Sequence, residues 1–148
     1  MNIFAIEQTP SGEIDWVKSA QSQDNYRVVK MILESVQMLC TTINLQHGEQ
    51  VTPYRTTHAK HPSTIWVGQS SANFERLVEH TLAMLEEYTE RFNKIHKCAG
   101  VLEKVIDLYD PGLFPHHDDT PLPLCMRYPT AKIPVWFQLY RELPFQEI

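Results

Sequence analysis

Cysteine is scarce in this chain. Cys40, Cys98 and Cys125 are scattered, odd in number and form no CxxC pair, which fits reduced thiols rather than a disulfide framework or a structural zinc site. Basic residues are also few: 13 Lys and Arg stand against 18 Asp and Glu, for a formal net charge of −5. Duplex DNA is bound largely by neutralising its phosphates, so any DNA contact needs a segregated basic face. Arg27, Lys30, Arg55, Lys60, Lys94 and Lys97 are the candidates for it, while Glu75, Glu79, Glu86, Glu87 and Glu90 must point elsewhere. No apolar run approaches the roughly eighteen residues that cross a bilayer. The start Met-Asn-Ile-Phe-Ala-Ile-Glu lacks the basic residues and long apolar stretch of a signal peptide. A cytoplasmic protein with no membrane partner is the expectation. Walker loop, Rossmann glycine pattern, HExxH and Ser or Cys nucleophile motifs are missing, so no cofactor and no metal ligand set is expected.

What is there suits one domain over residues 1–148. The length supports a real core and is too short for two comfortable ones. With 43% hydrophobic and 21% charged residues, the composition is that of a soluble globular chain. A first helix is expected from about Asp24 to Asn44, with Gly48 as its stop. Val29, Ile32, Leu33, Val36 and Leu39 recur at helical spacing on its apolar side. From Gln50 to Ser63 no helical pattern is seen, and Pro53 and Pro62 frame a polar, basic loop holding Tyr54, Arg55, His58, Lys60 and His61. A second long helix should start at Ser70 or Ser71, with Phe74, Leu77, Val78, Leu82, Leu85, Tyr88, Phe92 and Ile95 as its buried face. A third helix runs from about Val101 to Leu108. A Pro-rich tail comes after Asp110-Pro111-Gly112, and Trp136-Phe137-Gln138-Leu139-Tyr140 can close the chain as a helical turn or two. The fold class is therefore all-α: three main helices, long ordered loops and an aromatic C-terminal segment.

The chemistry-bearing pattern lies on the first helix. Residues three, four and seven apart share a helical face, so Arg27, Lys30 and Glu34 make one charged stripe. A carboxylate beside two cations is favoured in its charged form and can stabilise a developing cation or move a proton. The same stripe is also what an ordinary solvated face with a Lys30–Glu34 pair looks like. Ser70 and Asn73 can cap a helix or present its N-terminus to a phosphate. Trp66 can serve as core, pocket wall or stacking surface. His61, before Pro62, can shape a turn or touch a substrate. His58, His61 and His96, or His116-His117-Asp118-Asp119, offer histidines without metal-ligand spacing.

Arg27-Val28-Val29-Lys30-Met31-Ile32-Leu33-Glu34 through Cys40 resembles the first helix of an uncharacterised group of phage and bacterial proteins. His61-Pro62-Ser63-Thr64-Ile65-Trp66, Ser70-Ser71-Ala72-Asn73-Phe74, Glu87-Tyr88-Thr89-Glu90-Arg91-Phe92 and Lys94-Ile95-His96-Lys97 continue the likeness. More remotely, the layout is similar to the small phage-type pyrimidine dimer DNA glycosylases, the endonuclease V family. Those are compact all-α proteins with a catalytic Glu seven residues after a basic position, the separation of Glu34 from Arg27. Arg27 stands where those relatives often carry His, Asn2 comes after the initiator Met1, and Gly68 stands where the uncharacterised group commonly has Arg.

The resemblance implies a DNA glycosylase with associated AP-lyase activity on damaged or modified pyrimidines. Its nucleophile would be the α-amine of Met1, which has a useful neutral fraction near neutral pH because an α-amine titrates at about 7.7–8.0. Glu34 would stabilise the cationic sugar and shuttle protons. Arg27, Lys30 and Arg55 would hold phosphates, with His61, Trp66, Ser70, Asn73, Lys97 and Trp136 as further substrate-binding residues. The partner is then DNA, or a nucleotide with a pyrimidine base. The alternatives on the same scaffold are a non-catalytic nucleotide- or partner-binding module and a phage DNA-base modification protein.

Overall fold

The computed structural model describes residues 2–128. Among them the chain is all-α, with five helices and no strand. Helix α1 (Trp16–Gln21) is followed by α2 (Asn25–His47), α3 (Pro62–Gln69), α4 (Ser71–Phe92) and α5 (Ala99–Leu108). The three expected helices are α2, α4 and α5, and α1 and α3 are additional.

Caps explain most of the boundaries. Asp24 is extended and its carboxylate accepts the Arg27 N–H at 2.8 Å, opening α2. Gly48 ends it in the left-handed conformation at φ 71°, which only glycine adopts at no cost. Ser70 opens α4 by accepting the Asn73 N–H at 3.0 Å, and Asn93, also left-handed, closes it. Pro62, expected to frame a loop, is instead the first residue of α3. Proline suits that position because its missing N–H is not needed there. Helix α1 is too short to show a period. Tertiary bonds hold it: Arg91 on α4 donates to the carbonyls of Gln21 at 2.9 Å and Gln23 at 2.8 Å, just where α1 gives way to α2.

Helix α2 is the centre. It packs against α3, α4 and α5, while α1 lies on α4. Its second half is enclosed all round, with Met38, Leu39, Cys40, Thr41, Thr42, Ile43 and Asn44 buried. By length and composition α2 is apolar enough to cross a membrane, yet 72% of that apolar window is buried in the protein, as in a core helix. The α4 core face is rotated from the expected one. Phe74, Leu77, His80, Thr81 and Met84 are buried, whereas Leu82 is exposed and Ile95 lies beyond the helix, also exposed. The thiols of Cys40 and Cys98 are buried and free.

Segment 50–61 is irregular but firmly attached. Asn44 Oδ1 accepts the Val51 and Thr52 N–H groups at 3.0 and 3.1 Å and the Thr52 hydroxyl at 3.1 Å, while its Nδ2 donates to the Tyr54 carbonyl at 2.9 Å. Thr41 Oγ1 and Thr57 exchange two further bonds, both 3.0 Å. Removing the Asn44 amide strands several buried polar groups, each costing about 1–3 kcal/mol. Asn44→Ala is therefore expected to lower the unfolding free energy by about 2–4 kcal/mol, read by urea denaturation. A loss below about 1 kcal/mol would show that the segment is anchored elsewhere.

Candidate functional site

Segment 54–61 lies along one face of α2. Thr57 is tied to Thr41, and His61, four residues on, feels the charge of Glu34. Lys30, Glu34, Gln37 and Thr41 share that face, because three- and four-residue steps return to it. Lys30 and Lys60 are exposed, and Glu34 is half-buried with its Oε1 enclosed. Arg55 sits at the Thr41–Asn44 level, about 10–15 Å along the helix from Glu34 at 1.5 Å per residue.

His61 is placed by its neighbour in sequence. A residue before proline is kept out of the helical region, and His61 is extended at φ −66°, ψ 135°. Its side chain folds over the helix start, and Nδ1 accepts the Ser63 N–H at 3.1 Å. Burial pushes the His61 pKa down, the nearby His58 adds to this, and Glu34 pulls it the other way. The His61 backbone N–H donates to the His58 carbonyl at 3.0 Å, closing a turn in which His58 is left-handed at φ 50°.

The N-terminal segment meets the same place. Ser63 Oγ donates to Asn2 Oδ1 at 3.3 Å, and Asn2 Nδ2 donates to the Cys125 carbonyl at 2.9 Å and to the Tyr128 hydroxyl. Behind it, Ile3 is buried and Ser19 Oγ accepts the Ile6 and Glu7 N–H groups at 3.1 and 3.0 Å. Met1, bonded to Asn2, and Trp136 lie outside the described residues.

The charged stripe differs from its expected form. The Arg27 guanidinium bonds the Asp24 carboxylate at 3.2 Å and lies 5.2 Å from the centre of the Tyr26 ring. Arg27 therefore supports the helix start, and Lys30 is the stripe cation nearer to Glu34 in sequence. Lys30 Nζ is itself 5.7 Å from the same ring. Tyr26, 56% exposed and flanked by two cations, has the makings of a stacking platform for a base. Sequence reasoning passed over it, although an aromatic just before a basic stripe was the visible signal. Asn2 and Ser63 were missed for a different reason: nothing in the sequence joins positions 61 residues apart.

Three expected substrate residues are occupied by structure. Asn73 is fully buried, with Nδ2 donating to the Trp66 carbonyl at 2.8 Å and the Thr120 hydroxyl at 2.7 Å, while Oδ1 accepts the Thr120 N–H at 3.1 Å. Ser70 is buried and caps α4. Trp66 is 2% exposed, stacked on Trp16 at 5.6 Å, and its indole N–H donates to the Thr120 carbonyl at 3.3 Å. Asn73 and Trp66 thereby brace segment 115–120 across the α3–α4 junction, while Ser70 serves the start of α4. Lys97 is exposed in the α4–α5 connection. His96 beside it accepts the Cys98 N–H at 3.0 Å and bonds the Val29 backbone.

Trp66 also helps line an open cleft of about 540 Å³ with Trp16, Arg76, Glu79, Asp119 and Leu122. Arg76 is paired with Asp119 at 3.1 Å, which leaves Glu13 and Glu79 to set the sign of the cleft. An acidic cleft is a poor phosphate site, whereas Lys30, Lys60 and Arg55 stand on the Glu34 side. The acids Glu75, Glu79, Glu86 and Glu90 are exposed along α4, with Lys94 and Lys97 exposed just beyond its end. Among the described residues no three His, Cys, Asp or Glu side chains form a metal-binding group. The candidate seat for a ligand thus joins the Glu34 carboxylate, the capping imidazole of His61 and the N-terminal segment at Asn2. No protein-family model, curated protein or solved structure matches this chain.

Proposed function

We propose that this protein is a DNA glycosylase with associated AP-lyase activity on damaged or modified pyrimidines, with the Met1 α-amine as nucleophile and Glu34 as the proton-handling carboxylate. The observation that carries the reading is the seat of Asn2 on Ser63, at the helix start where His61 feels Glu34. The residue bonded to Met1 is thereby brought to the Glu34 face.

The chemistry is set by those groups. The neutral amine attacks C1′ of the deoxyribose, and the C1′–base bond breaks with its electron pair leaving on the base, which takes up a proton. The new amine sheds a proton and the C1′–O4′ bond opens, giving an imine and a hydroxyl at O4′. Loss of the C2′ proton then expels the 3′-phosphate, and water releases the protein from the imine. Glu34 collects and returns these protons, and as a carboxylate it also favours the cationic sugar. Lys30, Lys60 and Arg55 meet the phosphates, and Tyr26 stacks on a neighbouring base. Such a substrate puts the protein with the genome, in the cytoplasm of a bacterial or phage-infected cell.

Borohydride trapping on duplex DNA containing an abasic site tests this. A covalent adduct is expected, and an N-terminal extension that blocks the Met1 amine is expected to remove it. An adduct that survives the extension transfers the nucleophile to a lysine. A folded protein that gives no adduct leaves the second reading, a non-catalytic module for a pyrimidine nucleotide. The acidic face of α4 favours that reading, because it limits how much duplex the protein can touch. Calorimetric titration with thymidine monophosphate measures it directly.

A further inference from the structure

We infer that His61 is the neutral hydrogen-bond donor of this site, and that its Nε2–H holds the O4′ oxygen of the reacting sugar beside Glu34. The inference rests on the imine reading above and assigns a separate task within it. Its basis is the cap at the start of α3. Pro62 has no N–H, so the first donor that needs a partner there is the Ser63 N–H, and His61 Nδ1 accepts it at 3.1 Å. A ring nitrogen that accepts a hydrogen bond carries no proton, so the neutral imidazole holds its proton on Nε2. Protonating Nδ1 would break the cap, and the helix start thereby favours the neutral ring.

Among the described residues no group bonds Nε2, although the ring is half-buried within a polar cluster. That nitrogen already bears a hydrogen and cannot take another without giving up the cap. His61 is therefore fitted to donate and unfitted to act as the base, which leaves proton transfer to Glu34. As the C1′–O4′ bond opens, negative charge gathers on O4′. A donor on a ring that the cap holds in place stabilises that charge with little reorganisation. His61 transfers no proton in this scheme; the hydroxyl proton at O4′ comes through Glu34.

Two substitutions separate this task from capping. Asn is among the best N-cap residues, so His61→Asn keeps an acceptor for Ser63 and removes the imidazole, whereas His61→Ala removes both. The expected result is that both variants trap abasic-site DNA more slowly, by on the order of tenfold or more, while His61→Ala alone melts lower. Trapping by His61→Asn at the wild-type rate would overturn the inference and leave His61 a cap. If the wild-type protein forms no adduct, the imine reading fails on its own. The donor is then read by long-range ¹H–¹⁵N NMR at pH 7, with duplex DNA carrying a tetrahydrofuran abasic analogue. An Nε2-protonated ring whose Nε2 resonance moves on adding that DNA sustains it. An Nδ1-protonated ring, or no movement, sinks it.

Discussion

Glu34→Gln is expected to slow imine trapping by at least about a hundredfold, the lower bound for losing a positioned acid–base group, with the fold unchanged. Glutamine has the shape of glutamate, so the packing of α2 around the enclosed Oε1 is kept. What is lost is the exchangeable proton and the negative charge beside the cationic sugar. The effect should therefore fall on the chemical step, with DNA binding nearly intact because Lys30, Lys60 and Arg55 are untouched. Single-turnover trapping beside a thermal melt monitored by circular dichroism makes the measurement. A variant that traps at the wild-type rate removes Glu34 from the mechanism. One that traps slowly but also melts many degrees lower shows that Glu34 serves the fold instead.

The second large effect is acid lability. His80 is completely enclosed between α1 and α4: Nδ1–H donates to the Trp16 carbonyl at 2.8 Å, Nε2 faces Gln23 Nε2 at 3.4 Å, and the Trp16 ring lies edge-on at 6.0 Å. Burial pushes its pKa down to about 4, against a smaller upward pull from the Trp16 carbonyl. The unfolded chain binds a proton at this residue near pH 6.5 and the native state does not until about pH 4. Stability is thus full above pH 6.5 and lost as the pH falls toward 4, because the unfolded state then binds more protons. A shift of this size corresponds to about 3 kcal/mol, a large share of a small domain's stability. His96 and His61 are shifted the same way, both chiefly by burial, and add to the loss. Urea unfolding from pH 7.5 to 4 should show the decline, and His80→Gln should flatten it even where it lowers the whole curve. A His80 resonance that titrates near pH 6.5 in the folded protein would refute the account.

The long helices were readable because local chemistry and burial agree in them. Asp24, Gly48 and Ser70 mark ends that the caps confirm, and the apolar spacing of α2 reflects a helix that must bury one side. The short helices were hidden for opposite reasons. Six residues from Trp16 to Gln21 cannot display a period, and their stability comes from Arg91 across the fold. At Pro62 a helix-opening proline looks the same in sequence as a loop proline, and the difference lies in how the residues after it pack. The rotation of α4, with His80 and Thr81 inside and Leu82 outside, shows that a polar residue with internal partners can displace an apolar one from the core.

The candidate site divides in the same way. Glu34 on a helix with Lys30, and His61 held extended by Pro62, come from residue spacing and backbone sterics and needed no tertiary information. Ser70, Asn73 and Trp66 carried the right chemistry for a ligand, but hydrogen-bonding groups in the interior must be paired: segment 115–120 takes up those of Asn73 and Trp66, and the start of α4 takes up that of Ser70. Which polar groups remain available is set by burial, which a linear sequence does not contain. The meeting of Asn2 with Ser63 is likewise a matter of long-range packing: the sequence alone determined the groups and their helical faces, and only the tertiary structure decided which were left free and which came together.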